Sequence, residues 1–140
     1  MTESVTYSKP VPEPTAITAR FWSATSEGRL LLQKCASCGA IQHYPRPHCV
    51  SCLSRDQDWL EASGRGTLYS FTIVRRAASK AFEADLPYAL AIVELAEGPH
   101  MTANIIGTPI DRLRIGMPLR LTFAPATADI SIPQWRAGED

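Results

Sequence analysis

Four cysteines are the residues of this sequence best suited to chemistry. They form two Cys-x-x-Cys pairs, Cys35 with Cys38 and Cys49 with Cys52, and ten residues separate the pairs. Two intervening residues let both thiolates of a pair face one ion from a tight turn, and four thiolates complete a tetrahedral shell. The pattern therefore predicts a closed structural zinc site, because such a shell leaves no position for water or substrate.

Other interpretations of the cysteines stay open from the residues alone. An iron centre with four thiolate ligands would use the same set, whereas a redox pair expects one Cys-x-x-Cys that opens a helix. Disulfides are disfavoured in a reducing compartment. His43 and His48 lie between the pairs and could replace a thiolate, although four cysteines already suffice. Leu53 stands where the first pair is followed by Gly39, which predicts a less regular second turn.

The cysteine segment needs neighbouring elements, because it is rich in Pro, Gly and Ser and poor in apolar residues. A strand over residues 28–34 leads into Cys35. Before it, Thr15 or Thr18 is expected to cap a short helix that ends near Gly28.

The apolar face of this helix carries Phe21 and Trp22. A helix this short depends on tertiary contacts, so the face docks either on the chain's own domain or on a partner or ligand. We expect the first arrangement more than the second. The segment before the helix, residues 1–14, has prolines at alternate positions and predicts a disordered tail.

Beyond the cysteines the pattern is β. Segments of alternating apolar residues separated by Gly and Pro predict a five-stranded OB-type barrel over residues 61–140, with a C-terminal tail. The expected fold class is mainly β, with the N-terminal helix and a rubredoxin-like zinc ribbon over residues 15–60. Residues 60–76 should form a long, bent strand, and residues 88–95, apolar on both faces, a central one. The recognisable strand segments are 67–74, 88–95, 101–106 and 119–123, with a helical turn within 109–116.

The composition disfavours several classes of function. The chain has 140 residues, 45% of them apolar, and its 14 basic and 14 acidic side chains cancel. This balance argues against a nucleic-acid binder that tracks phosphates and against binding to anionic membranes. No apolar run approaches the length of a bilayer span, and the first residues do not resemble a secretory signal, so we expect a cytoplasmic protein.

The sequence predicts no catalytic residue of its own. It lacks a nucleophile elbow, a Walker loop, a dinucleotide-binding loop and an HExxH motif. Arg75, Arg76 and Lys80 form a local basic cluster. This cluster is either a solvated hairpin or a contact for a phosphate or carboxylate, such as the nucleotide end of coenzyme A.

Over about residues 16–125 the chain resembles the zinc-ribbon plus OB-fold proteins associated with acyl-CoA enzymes, a family long catalogued as a domain of unknown function. The sequence stretches that carry the resemblance are Phe21-Trp22, Gly-Arg-Leu-Leu-Leu-Gln-Lys-Cys-Ala-Ser-Cys-Gly at 28–39, Tyr-Pro-Arg at 44–46, Cys-Val-Ser-Cys at 49–52, Gly-Arg-Gly-Thr-Leu-Tyr-Ser-Phe-Thr at 64–72, Leu-Pro-Tyr at 86–88 and Ile-Gly-Met at 115–117.

The resemblance implies a non-catalytic accessory subunit with a structural Zn²⁺. Such proteins assemble with thiolase-like enzymes, including the lipid-transfer type, and with MaoC-type enoyl-CoA hydratases. They support aldol cleavage or acyl transfer on CoA thioesters, for example in degradation of sterol side chains. Under this hypothesis Phe21, Trp22, Arg75, Arg76 and Lys80 contact the partner or an acyl-CoA.

The alternative function is binding of single-stranded nucleic acid, which OB barrels often perform. That function expects a basic groove with stacking aromatic side chains, and the neutral charge of the chain disfavours it.

Overall fold

The computed structural model describes residues 7–138. This part of the chain contains one α-helix, α1 (Ala19–Thr25), and two 3₁₀ turns, Lys80–Asp85 and Ile110–Arg112. The eight strands are β1 (Leu31–Cys35), β2 (Ile41–Gln42), β3 (Gln57–Glu61), β4 (Arg65–Val74), β5 (Tyr88–Leu95), β6 (His100–Ile105), β7 (Pro118–Pro125) and β8 (Ser131–Ala137).

The strands form two units. β1 lies between β2 and β3 in a three-stranded antiparallel sheet. The other five strands close a barrel in the order β4-β5-β6-β8-β7, and β7 pairs back onto β4. The predicted fold class is confirmed: the chain is mainly β, with an N-terminal helix, a four-cysteine ribbon and a closed five-stranded barrel.

The fifth barrel strand, β8, lies in the segment where the sequence indicated no strand. The inward-facing residues of β8 are Ser131, Pro133 and Trp135. The segment therefore lacks the alternating aliphatic residues by which a strand is recognised in a sequence. Pro133 has no N–H to donate and is normally confined to edges or bulges. It is accommodated because β8 pairs continuously with β7 only, while a single bridge, Ile105 to Trp135, joins it to β6.

Two other strand expectations differ from the structure. The expected long strand over residues 60–76 is divided into β3 and β4, and its bend corresponds to a register shift between Leu68 and Ser70. The residues of β5 alternate between buried and exposed positions, so Leu90 and Ile92 are 38% and 37% exposed rather than buried.

Helix α1 docks on the chain's own domain. Thr15 and Thr18 exchange hydrogen bonds ahead of the helix, from each backbone N–H to the other hydroxyl, at 2.9 and 3.2 Å. The hydroxyl of Thr25 donates to the carbonyl of Trp22 and accepts from the backbone N–H of Ser131 at 3.0 Å, which ties the helix to the start of β8.

The predicted tail is described only in part, because residues 1–6 lie outside the described residues. Residues 7–14 form neither helix nor strand. Tyr7 packs against the core, and the ammonium group of Lys9 lies 2.7 Å from a carboxylate oxygen of Asp85. Tyr7 and Lys9 line a cleft of 570 Å³ at one end of the barrel. The disorder of residues 1–14 stays a prediction.

No helix within residues 7–138 combines the length and the apolar character needed to cross a membrane.

Candidate metal centre

The four cysteine side chains converge at one point of the ribbon. The Sγ atoms of Cys35 and Cys52 are 3.6 Å apart, and those of Cys38 and Cys49 are also 3.6 Å apart. All four sulfur atoms lie within 4.8 Å of one another. Zinc bound tetrahedrally by sulfur at about 2.3 Å places its ligands about 3.8 Å apart, so this donor set fits the ion.

The two cysteine turns have the same backbone construction. Gly39 donates its N–H to the carbonyl of Cys35 at 2.9 Å, and Leu53 donates to the carbonyl of Cys49 at the same distance. Gly39 has φ +80° and Leu53 has φ +66°. The expectation of a less regular second turn is therefore wrong. Leu53 takes the left-handed conformation that normally favours glycine, and its side chain is 73% exposed.

Backbone N–H groups donate hydrogen bonds to some of the sulfur atoms and thereby stabilise their thiolate form. The N–H groups of Cys38 and Ser37 donate to the sulfur of Cys35 at 3.4 and 3.3 Å. These bonds, with a smaller contribution from the thiols of Cys52 and Cys38, outweigh burial and lower the pKa of the Cys35 thiol to about 6. The N–H of Ser54 acts in the same direction on Cys52. There, however, the thiol of Cys35, burial and the other two thiols raise the pKa to about 12.

Four thiolates within 4.8 Å of one another repel, and the opposed pKa shifts of Cys35 and Cys52 agree with this repulsion. A divalent ion removes this repulsion, and its binding releases the remaining protons. Zinc bound by Cys35, Cys38, Cys49 and Cys52 would be closed on all four sides, so its chemistry here is to cross-link the ribbon.

Two buried glutamines hold in place the loop that positions Cys49, and the sequence analysis did not identify them. Gln33 and Gln42 are 4% and 5% exposed and face each other across β1 and β2. The side-chain amide of Gln33 donates to the carbonyl of Arg46 at 2.9 Å, and its oxygen accepts from the N–H of the same residue at 2.8 Å. The side-chain amide of Gln42 donates to the carbonyl of His48 at 3.1 Å, and its oxygen accepts from the N–H of Val50 at 2.9 Å.

The histidines between the cysteine pairs lie outside the sulfur cluster. Nε2 of His48 accepts a hydrogen bond from Nε of Arg55 at 3.1 Å. The ring of His43 packs at 5.6 Å from that of Phe21, and its Nδ1 is buried with no hydrogen-bond partner among residues 7–138. Burial, with a smaller effect of the Arg46 charge, lowers the pKa of His43 to about 4.

The rings of Phe21 and Trp22 lie inside the protein. They are 1% and 9% exposed and meet edge to face, with their centroids 4.9 Å apart. A direct contact with a partner would require α1 to leave the core, so we assign both rings to the docking of α1. Their contact with a partner or an acyl-CoA stays a prediction.

The basic cluster predicted from sequence is remote from the ribbon in the chain. Arg75 and Arg76 are exposed in the segment that follows β4, and Lys80 is exposed at the first position of the first 3₁₀ turn. None of them forms an ion pair with another residue of the described part of the chain. Their role in binding stays a prediction.

The fold and the sulfur cluster define a class, the proteins that join a rubredoxin-like zinc ribbon to an OB-fold barrel. Residues 22–57 match the family of the rubredoxin-like zinc ribbon domain of ChsH2. Residues 59–124 match the family of the C-terminal OB-fold domain of ChsH2. A DUF35 domain-containing scaffold protein of Methanocaldococcus jannaschii is 31% identical over 106 residues, which is 74% of each chain. The chain belongs to this DUF35 family.

Two further likenesses concern larger proteins or assemblies. The 3-oxo-4,17-pregnadiene-20-carboxyl-CoA hydratase alpha subunit of Mycobacterium tuberculosis is 33% identical over 124 residues, 89% of this chain and 37% of that subunit. The chain thus spans little more than a third of the length of the hydratase subunits that it matches. A chain of the solved Ltp2-ChsH2(DUF35) aldolase superposes with a TM-score of 0.81 at 35% identity, over 91% of this chain and 98% of that one.

Proposed function

We propose that this chain is a non-catalytic, zinc-containing accessory subunit of a thiolase-like enzyme that acts on CoA thioesters. The observation that carries the proposal is the likeness to the Ltp2-ChsH2(DUF35) aldolase, which extends over 98% of the matched chain. A likeness of that extent concerns the whole zinc-ribbon and barrel unit and not one module.

The metal centre supports a structural role in such a complex. Its four sulfur donors close the shell of a tetrahedral ion, so the ion has no site for a thioester carbonyl or a water molecule. The ribbon then supplies rigidity, and the partner supplies the nucleophile or base. In this proposal the partner is of the lipid-transfer type, the reaction is aldol cleavage or acyl transfer, and the complex works in the cytoplasm.

The contact residues are part of the proposal. Arg75, Arg76 and Lys80 are exposed on one segment and suit the phosphates of an acyl-CoA shared with the partner. Phe21 and Trp22 act from inside the fold, by fixing the position of α1 against the barrel.

Co-expression with a thiolase-like protein tests the proposal. The two chains are purified together by size-exclusion chromatography, and the zinc content of the peak is measured. We expect a stable complex with about one zinc per copy of this chain and CoA-thioester cleavage or transfer activity that the thiolase-like protein alone lacks. A zinc-loaded chain that elutes alone, beside a fully active partner, would refute the accessory role.

A second candidate partner is a MaoC-like enoyl-CoA hydratase subunit. The observation that favours it is the 33% identity to a hydratase alpha subunit over 89% of this chain. The same co-expression with a hydratase subunit, assayed by hydration of an enoyl-CoA, separates the two candidates. Binding of a single-stranded oligonucleotide at low salt is the test for the remaining alternative.

A further inference from the structure

The second cysteine turn carries two apolar side chains that the fold leaves largely uncovered. Val50 and Leu53 are 60% and 73% exposed, and neither packs against the hydrophobic core of the described part of the chain. A hydrogen bond of 2.9 Å from the N–H of Leu53 to the carbonyl of Cys49 closes the turn that contains them. Both side chains therefore project from one short turn, and we call Val50 and Leu53 the apolar tip.

The first cysteine turn shows that metal binding does not require these side chains. Its backbone is closed by the same hydrogen bond, from the N–H of Gly39 to the carbonyl of Cys35 at 2.9 Å. At the positions that correspond to the apolar tip, this turn has Ala36 and Gly39. Since both turns supply two thiolates with one backbone construction, the metal site does not explain the apolar tip.

A leucine at position 53 also costs stability. Leu53 has φ +66°, in the left-handed region where glycine is free of strain and a residue with a Cβ is not. Strain of this kind is found where a site has a function and the surrounding structure holds the residue in place. A strained leucine whose side chain is exposed therefore indicates a contact outside this chain.

The apolar tip stands on an ordered base. The N–H of Cys49 donates to the carbonyl of Ser54 at 2.8 Å, and the N–H of Val50 donates to the buried side-chain oxygen of Gln42 at 2.9 Å. Zinc bound by the four sulfur atoms would fix the turn further. A side chain on an ordered backbone loses little entropy when a partner covers it, which suits the apolar tip to anchor an interface.

The surroundings of the apolar tip indicate what covers it. Residues 47–54 contain no Asp, Glu, Lys or Arg, so the tip fits an apolar recess and not an ion-pair network. Cys38 and Cys52 are exposed beside it, and four thiolates carry more negative charge than a divalent ion neutralises. This excess charge repels an anionic membrane and also a second copy of the same turn. A protein recess with hydrogen-bond donors at its rim accommodates both the apolar side chains and the sulfur atoms.

We propose that the apolar tip inserts into an apolar recess of the thiolase-like partner. This inference rests on the proposed function and names the part of the chain that anchors the complex. Two side chains are enough for this role, because a few residues generally supply most of the binding energy of a larger interface.

The test measures binding and stability separately. Isothermal titration calorimetry gives the affinity of the zinc-loaded full chain for the thiolase-like protein, and urea unfolding gives the stability of the chain alone. We expect V50A/L53G to bind about tenfold more weakly, or weaker still. Leu53→Gly alone should also bind more weakly, although it removes the strain and raises the free energy of unfolding. A purely structural role for the leucine would not separate the two measurements in this way.

Two further variants serve as controls. Ile115→Ala removes an apolar side chain that is 63% exposed in the loop before β7, and it should bind within about twofold of the native chain. Leu53→Asn keeps a residue that tolerates the left-handed conformation and is less flexible than glycine, and it should bind as weakly as Leu53→Gly. Circular dichroism and zinc analysis check that each variant keeps its fold and its metal.

The outcomes separate this inference from the proposed function. A native chain that does not bind the thiolase-like protein would overturn both. Native affinity of V50A/L53G or of Leu53→Asn, or an equal loss in Ile115→Ala, would overturn the inference alone. Sedimentation of the native chain, but not of V50A/L53G, with phosphatidylcholine–phosphatidylserine vesicles would assign the apolar tip to a membrane instead. A dimer of the native chain that V50A/L53G abolishes would assign it to a second copy.

Discussion

The side chains of Gln33 and Gln42 are joined by a hydrogen bond of 2.7 Å from the amide of Gln42 to the oxygen of Gln33. Both are almost completely buried, and each also bonds to the backbone of the loop between the cysteine pairs. An apolar side chain at either position would leave the backbone atoms of the loop that bond to that glutamine without a hydrogen-bond partner. The pair therefore determines where the chain delivers Cys49 to the sulfur cluster.

Replacing Gln42 with leucine should weaken zinc binding. The N–H of Val50 and the carbonyl of His48 lose their partners, which costs about 1–3 kcal/mol for each buried group. Changes in the residues that support metal ligands typically reduce metal affinity by about 10–100-fold. A competition titration with a zinc chelator measures the effect.

The control for this variant is Gln134→Leu, which makes the same chemical change on β8 of the barrel. It should leave zinc affinity unchanged. Equal zinc affinity of Gln42→Leu and the native chain would show that the cysteines position themselves without the glutamine pair.

Replacing Leu53 with glycine should stabilise the ribbon. Leu53 has φ +66°, a conformation that costs a residue with a Cβ about 1–2 kcal/mol, and its exposed side chain contributes little packing. Part of this gain is lost to the larger backbone entropy of glycine in the unfolded chain, so we expect a net gain of about 0.5–1 kcal/mol. Urea unfolding of the zinc-loaded protein measures it.

The reciprocal variant is Gly39→Ala at the equivalent position of the first turn. A Cβ there meets no atom within 4 Å, so any loss of stability comes from the backbone conformation alone. Opposite signs for the two variants are expected. A loss of stability in Leu53→Gly would show that packing of the leucine side chain, although exposed, stabilises the fold by more than its backbone conformation costs.

Removal of the metal should unfold the ribbon and spare the barrel. The segment 35–56 has few apolar residues and depends on the cross-link, whereas β4, β5 and β6 pair extensively with one another. In hydrogen-exchange mass spectrometry, Cys49→Ser should lose protection over 35–56 and retain it over β4 and β5. Ser51→Ala is the matched control within the same turn. Loss of protection throughout the barrel would show that the two units fold only together.

The parts of this structure that the sequence predicts are those fixed by local spacing. Two residues between cysteines and ten between the pairs define the metal ligands without knowledge of any other element. The glutamine pair depends on which residue of one strand faces which residue of another. Strand register is set by long-range packing, so a single sequence does not show that Gln33 meets Gln42. Strand β8 was not predicted because Pro133 interrupts the alternation of apolar residues in that segment.

Acidification should destabilise the protein through His43. Its pKa is about 4 in the folded chain, below the ordinary value of 6.5, because its ring is desolvated and Arg46 is near. Between pH 6.5 and 4 the unfolded chain therefore binds a proton that the folded chain excludes, so the free energy of unfolding falls as the pH falls through this window. Since the residue retains some exposure, we expect a loss of about 2 kcal/mol.

His43→Phe keeps an aromatic ring beside Phe21 and removes the titration. Urea unfolding of both proteins at several pH values, with the same excess of zinc, gives a difference curve. Loss of metal at low pH affects both proteins and cancels in this curve. A stability difference that stays constant from pH 7 to pH 4 would show that the His43 ring is protonated equally in the folded and unfolded chains.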